Sequence, residues 1–293
     1  MRVFVTGATG FIGSAVVQEL LGAGHQVLGL SRSDKGNQAL TAAGAEVHRG
    51  SLDDLDSLRS GAAAADGVIH LAFIHDFSQY AAAGETDRRA IEAMGEALAG
   101  TNKPLVVTSG LAGLASGRLA TEADTPASMG RVSEPTALAQ VARGVRATVV
   151  RLAPSVHDDG DYGFVPALIN IAREKGAAAY IGDGQNRWPA VHRLDAARLF
   201  RLALERGVAG GRYHGAADEG IPMRDLAAVI GRHLNVPVLT KSPEEAAEHF
   251  GWMALFAGLD MPATSARTQQ ELGWQPTHKG LLADLEEGSY FGK

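Results

Sequence analysis

Apolar and β-branched residues open the chain at 3–5 and stop at a glycine cluster, after which apolar positions recur at helical spacing over 14–21. Such an order predicts strand, turn and helix. The alternation continues with strands at 26–30, 46–49, 68–72, 105–109 and 147–152, separated by helices at 38–43, 52–59 and 86–99. The helix at 52–59 is opened by acidic residues, which suit the positive end of the helix dipole. Strands that alternate with helices imply a parallel sheet covered on both faces, so the expected fold class is α/β, a doubly wound Rossmann sheet over residues 1–155.

Beyond residue 155 the pattern changes. Pro and Gly punctuate short helices at 195–204 and 224–234. Residues 156–293 therefore read as a smaller, mixed substrate lobe, with segments near 190–198 and 210–216 expected to return to the main sheet. The cleft between two such lobes is the default substrate site. A chain of 293 residues with 45% hydrophobic content is long enough for a substantial core and about two domains. Its net charge of −6 argues against a nucleic-acid partner, because phosphate backbones demand a basic field. The absence of Cys excludes disulfides, thiolate nucleophiles and Cys-bound metal, and makes a cytoplasmic setting the expectation. The apolar run at the N-terminus is too short for a signal-peptide core or a membrane span, so no membrane partner is expected. A small-molecule substrate is the expected partner, and a homodimer is a possible assembly.

The glycine cluster is Thr6-Gly7-Ala8-Thr9-Gly10-Phe11-Ile12-Gly13, placed after a strand and before a helix. Gly7 permits a tight turn, Gly10 lets backbone amides approach a pyrophosphate, and Gly13 lets the helix pack closely. The positive helix end then faces the phosphates. With the strand–helix alternation, this octet resembles the short-chain dehydrogenase/reductase superfamily, specifically its extended type, which includes sugar-nucleotide epimerases and dehydratases. Val68-Ile69-His70-Leu71-Ala72 resembles the fourth-strand segment beside the nicotinamide ribose. Arg151-Leu152-Ala153-Pro154 resembles the sixth strand and its nicotinamide-side turn, Val191-His192-Arg193-Leu194-Asp195 the segment leading into the small lobe, and Glu271-Leu272-Gly273-Trp274-Gln275-Pro276 the C-terminal signature. The resemblance covers nearly the whole chain. It implies dinucleotide contacts at Gly7, Thr9, Gly10, Phe11, Ile12, Gly13, Leu71, Ala72, Phe73, Pro154, Ser155 and Val156.

NAD-preferring members carry an acid at the end of the second strand, where it meets the adenosine ribose hydroxyls. Here that place holds Leu30-Ser31-Arg32-Ser33, with no acid before Asp34. An Arg beside a Ser suits a 2′-phosphate, because a charge-assisted bond contributes about 1.5–3 kcal/mol. NADP is the expected cofactor, with NAD as the alternative, and Ser31 and Arg32 are its expected contacts. After the third strand the family carries an Asp facing the adenine, but Gly50-Ser51-Leu52-Asp53 puts Ser51 there, followed by Leu52. Asp53 either substitutes or charges a helix N-terminus.

Ordinary members also use a Ser or Thr after the fifth strand and a Tyr-x-x-x-Lys pair, whose ammonium lowers the phenol's pKa for proton exchange with the substrate oxygen. Between Gly110 and Gly144 there is no Tyr and no Lys. Met129 and Ser133 stand in the two places, and Pro135 suits only a first helical turn, which predicts a helix starting near Ser133 as N-cap. The chain is thus an atypical member. Ser109 is retained near the third catalytic place, with Gly110 an equal alternative for the aligned position. Replacement proton donors are sought in loops at the strand ends. His75 and Asp76 follow the fourth strand, and His157 and Tyr162 follow the sixth. Arg131 and Glu134 are weaker candidates, and Arg187 is a candidate for orienting an anion. No metal site is expected, because the ten His form no compact ligand set. These features predict an NAD(P)-dependent oxidoreductase acting on a carbonyl or alcohol. A sugar-nucleotide epimerase or dehydratase, or a non-catalytic NADP(H) redox sensor, is the alternative.

Overall fold

The computed structural model describes residues 1–75, 79–115, 117–125 and 132–292. Seven strands form one all-parallel sheet in the order β10-β6-β5-β4-β1-β2-β3. They are β1 (Arg2–Thr6), β2 (Gln26–Ser31), β3 (Glu46–Arg49), β4 (Gly67–His70), β5 (Pro104–Gly110), β6 (Arg146–Leu152) and β10 (Arg212–Gly215). The doubly wound fold expected from the alternation is the one observed. Side chains leave a strand alternately to its two faces. Val3, Val5, Ile69, Val106 and Val150 accordingly join one core with helices α1 (Phe11–Gly22) and α7 (Arg193–Arg206). Phe4, Val68, Leu105, Val107 and Val149 join a second core on the opposite face, with α3 (Leu55–Ala63), α4 (Tyr80–Leu98) and α5 (Ser133–Ala139). Burial on both faces is why these strands read as unbroken apolar runs.

Residues 212–215 do lie in the main sheet, beside β6. The segment around Val191-His192 does not: it ends β9 (Arg187–His192), which pairs with β7 (Ser155–His157) and β11 (Asp218–Pro222) in a separate sheet. Only the following helix, α7, packs against the main sheet. The second lobe adds α6 (Phe164–Lys175), α8 (Met223–Leu234), α12 (Leu281–Glu287) and a two-stranded sheet of β8 (Ala178–Ile181) and β12 (Val238–Lys241). It encloses its own apolar core around Trp188, Ile230, Phe250 and Leu285.

Candidate active site

The turn after β1 is built so that only glycine fits. Gly7 has φ +68°, and a Cβ there would lie 2.8 Å from the Ala72 amide nitrogen. A Cβ on Gly13 would lie 1.9 Å from the Gly7 carbonyl oxygen, and one on Gly10 3.2 Å from the same atom. Gly10 N donates to that carbonyl at 3.0 Å and closes the turn. Gly10 is also the N-cap of α1 and has no side chain to cap it, and no backbone acceptor meets the amides of Phe11, Ile12 or Gly13 among the described residues. Open amides at a helix N-terminus beside a cradle that a Cβ would fill suit a pyrophosphate. Leu71, Ala72 and Phe73 form the neighbouring wall after β4, half-buried. Thr9 is exposed at the rim, and Pro154 and Val156 are half-buried around Ser155, whose hydroxyl is buried without a partner.

At the other end of the cradle, Ser31 is buried and its Oγ donates to the Ser33 carbonyl at 3.2 Å, while Ser33 Oγ accepts from Gly36 N at 3.1 Å and caps α2 (Asp34–Ala43). Arg32 projects from this corner, exposed, with no hydrogen bond or ion pair among the described residues. The nearby acid, Asp34, is engaged by Arg49. Ser51 and Leu52 follow β3, half-buried. Asp53 is exposed, and the cap of α3 is Asp54, which accepts from Ser57 N at 3.1 Å. The helix-charging role considered for Asp53 thus belongs to its neighbour.

Ser109 closes β5 at the carboxyl edge of the sheet, 7% exposed, with no hydrogen bond to its hydroxyl among the described residues. His75 is exposed beyond β4, its ring 5.3 Å from Phe73, which in turn lies 5.9 Å from Tyr80. Tyr162 is 76% exposed and its ring meets Phe11 at 6.0 Å, at the phosphate end of the cradle. Asp76, Met129 and Arg131 lie outside the described residues.

Four of the expected roles need correction. His157 is fully buried: Nδ1 bonds Asp284 of α12 at 2.8 Å and Nε2 is shut away without a partner, so neither nitrogen can meet a substrate. Ser133 is the first residue of α5 rather than its cap, and its Oγ donates to Asp87 at 2.5 Å. Asp87 also binds His70 Nε2 at 2.9 Å, and His70 Nδ1 reaches Thr6 Oγ1 at 2.7 Å. The position where ordinary members hold a lysine is therefore the end of a buried polar chain that ties α5 and α4 to β4 and to the start of the cradle. Glu134 is also structural, bonded to Arg151 at 2.8 and 2.6 Å and to Arg212 at 2.9 Å. Burial pushes its carboxyl up, but the two guanidiniums prevail and hold it below the usual range. Arg187 spends its charge on Asp260, bonding both carboxylate oxygens at 3.1 and 3.0 Å, and does not offer itself to an anionic substrate.

Sequence reasoning passed over Asp161, whose carboxyl burial pushes up to about 6 beside the Tyr290 phenol, and Arg193, whose guanidinium lies 4.7 Å from the Phe11 ring centre. Neither had a local signal, because the partners that define them are distant in sequence. Among the described residues no group of His, Asp or Glu is placed to hold a metal ion, and no helix is long and apolar enough to cross a membrane.

A parallel doubly wound sheet with an open-amide glycine cradle at its switch point defines a nicotinamide-dinucleotide-binding protein of the extended short-chain dehydrogenase/reductase class. The comparisons agree. The chain belongs to the NAD dependent epimerase/dehydratase family, whose pattern matches residues 3–98. An uncharacterized protein of Schizosaccharomyces pombe is 52% identical over 99% of this chain and 100% of its own. The 4-hydroxy-2-methyl-3-oxo-4-farnesyl-3,4-dihydroquinoline-1-oxide ketoreductase of Stigmatella aurantiaca is 27% identical over 90% of this chain and 84% of its own. In fold, the dTDP-glucose 4,6-dehydratase of Streptomyces venezuelae, solved with NAD, superposes with a TM-score of 0.77 at 20% identity, covering 98% of this chain and 96% of that one. A nicotinamide-dependent function of the epimerase, dehydratase or reductase type follows.

Proposed function

We propose that the protein is an NADP(H)-dependent oxidoreductase that interconverts a carbonyl and an alcohol on an uncharged, apolar small molecule. The observation that carries this reading is the pairing of an intact glycine cradle with an unpartnered Arg32 at the end of β2, where a 2′-phosphate would sit. A bound nicotinamide would supply the hydride. The chain's own residues would do the rest. Ser109 has a hydroxyl free to donate to the substrate oxygen, and His75, exposed in the loop that follows the adjoining strand β4, would deliver the proton. Hydride at carbon and a proton at oxygen together balance a two-electron reduction.

Reduction is favoured over sugar-nucleotide chemistry on two grounds. Arg187 is neutralised by Asp260 and so offers no spare charge to the phosphates of a sugar nucleotide. The second lobe instead exposes aromatic surface at Trp252, 55% exposed, with its ring 6.1 Å from Phe164 and 6.3 Å from Phe256. The family's ketoreductase relative points the same way.

The test is turnover of NADPH with a panel of aromatic and alicyclic ketones, following alcohol formation by chromatography, with UDP-glucose in parallel. Stoichiometric alcohol from a ketone supports the reading, and Arg32→Ala should then weaken NADPH binding by roughly tenfold while leaving NADH binding unchanged. Isomerised or dehydrated UDP-glucose with no ketone reduced would refute it.

A further inference from the structure

We infer that Arg193, at the start of α7 on the same face of the main sheet as α1, is a binding residue for the pyrophosphate of the dinucleotide. The inference rests on the dinucleotide reading above, and adds a ligand contact that lies outside the glycine cradle.

Helices α1 and α7 lie side by side and run in the same direction. Phe11 meets Arg193, Glu19 bonds Arg201 at 2.7 Å, and just past the end of α1 His25 bonds Glu205 at 2.9 Å, so contacts keep an almost constant offset along the pair. Their N-termini therefore open at the same end of the sheet. At that end α1 presents the uncapped amides of Phe11, Ile12 and Gly13, and α7 presents the Arg193 side chain.

A cation at this position opposes its own helix. The first turn of α7 carries the positive end of the dipole, where an Asp or Glu is stabilising and an Arg is not. Part of that conflict is relieved by Asp158, which forms an ion pair with Arg193 Nη2 at 3.0 Å, and part by the face of Phe11 at 4.7 Å. The relief is incomplete. Nε of Arg193 is buried and has no acceptor, although buried guanidinium donors are nearly always satisfied. The Arg193 side chain is still 25% exposed, and a dianionic pyrophosphate seated on the α1 amides would meet that open part of the guanidinium and supply the missing negative charge, while Nε stays shut away. Tyr162, against the edge of Phe11, encloses the same ring.

The experiment is fluorescence titration of the purified protein and of Arg193→Met with NADPH, NADH and adenosine 2′,5′-bisphosphate, which lacks the pyrophosphate bridge. Apo-protein melting is recorded for both. The expected result is weaker binding of NADPH and of NADH by about tenfold or more, with their ratio preserved. Affinity for adenosine 2′,5′-bisphosphate should stay within about threefold. Equal losses for all three ligands would show a merely structural role and overturn the inference, as would unchanged affinity for both dinucleotides. If the unaltered protein binds neither NADPH nor NADH, the dinucleotide reading itself falls and the inference with it. A drop in apo melting temperature alone does not imitate the expected pattern, because a folding defect does not distinguish ligands by their pyrophosphate.

Discussion

Replacing Glu134 by Gln tests how α5 is held where the ordinary catalytic helix would lie. Glu134 is 3% exposed and faces a fully buried Arg151, with two charge-assisted bonds at 2.8 and 2.6 Å. Glu134→Gln keeps the shape and one acceptor oxygen but leaves the Arg151 guanidinium charged in the core with only neutral partners: that amide oxygen, the Asp124 carbonyl and the His214 ring. Removing one member of a buried pair typically costs about 3–5 kcal/mol. The lower end applies here, because one hydrogen bond survives and the partly exposed Arg212 contributes little, about 0–1 kcal/mol. With a urea dependence of about 3 kcal/mol/M, a loss of about 3 kcal/mol moves the unfolding midpoint down by about 1 M. Glu134→Gln combined with Arg151→Met removes both charges and should recover most of that loss. The pH dependence has a defined sign. The folded-state pKa of Glu134 is depressed, so its contribution is fully present above the unfolded value of about 4.3 and is lost as pH falls through the lower folded value. The gap between wild type and variant should therefore be widest at neutral pH and shrink below about pH 4. A Glu134→Gln midpoint within about 0.3 M of wild type at pH 7 would refute the reasoning.

Two further outcomes are expected. Gly13→Ala places a methyl 1.9 Å from a backbone carbonyl, and since neither backbone can yield cheaply, it should lower stability by about 1–3 kcal/mol and weaken NADPH binding by at least tenfold. Calorimetry and fluorescence titration check both, and wild-type affinity in the variant would contradict the fit of the cradle. His214 is pushed down by burial to about 4, its Nδ1 donating to the Thr264 carbonyl and its Nε2 accepting from Arg151. The unfolded chain takes up that proton first, so stability should be full above about pH 6.5 and fall towards pH 4, and His214→Gln should flatten that slope in urea unfolding across this range.

The sheet and its cradle were legible from local pattern because both are local. A strand buried on both faces must be apolar throughout, and a turn that meets Ala72 with no room for a Cβ must be glycine; each requirement is written into a few consecutive residues. The emptiness of the Tyr and Lys positions was equally plain. Other features depended on distant partners. His157 reads as a loop histidine until α12, 127 residues later, folds over it with Asp284. Arg187 reads as an anion ligand until Asp260 arrives from 73 residues away. Ser133 gains its meaning only through Asp87 and His70, and Arg193 only because α7 lies parallel to α1. Local steric and hydrophobic demands act between neighbours in sequence, and so the amino-acid order by itself determined the strands, the helix starts and the phosphate turn. Charge pairing and burial act between neighbours in space, and so only the tertiary structure decided which titratable side chains are neutralised in the interior and which remain free to meet a ligand.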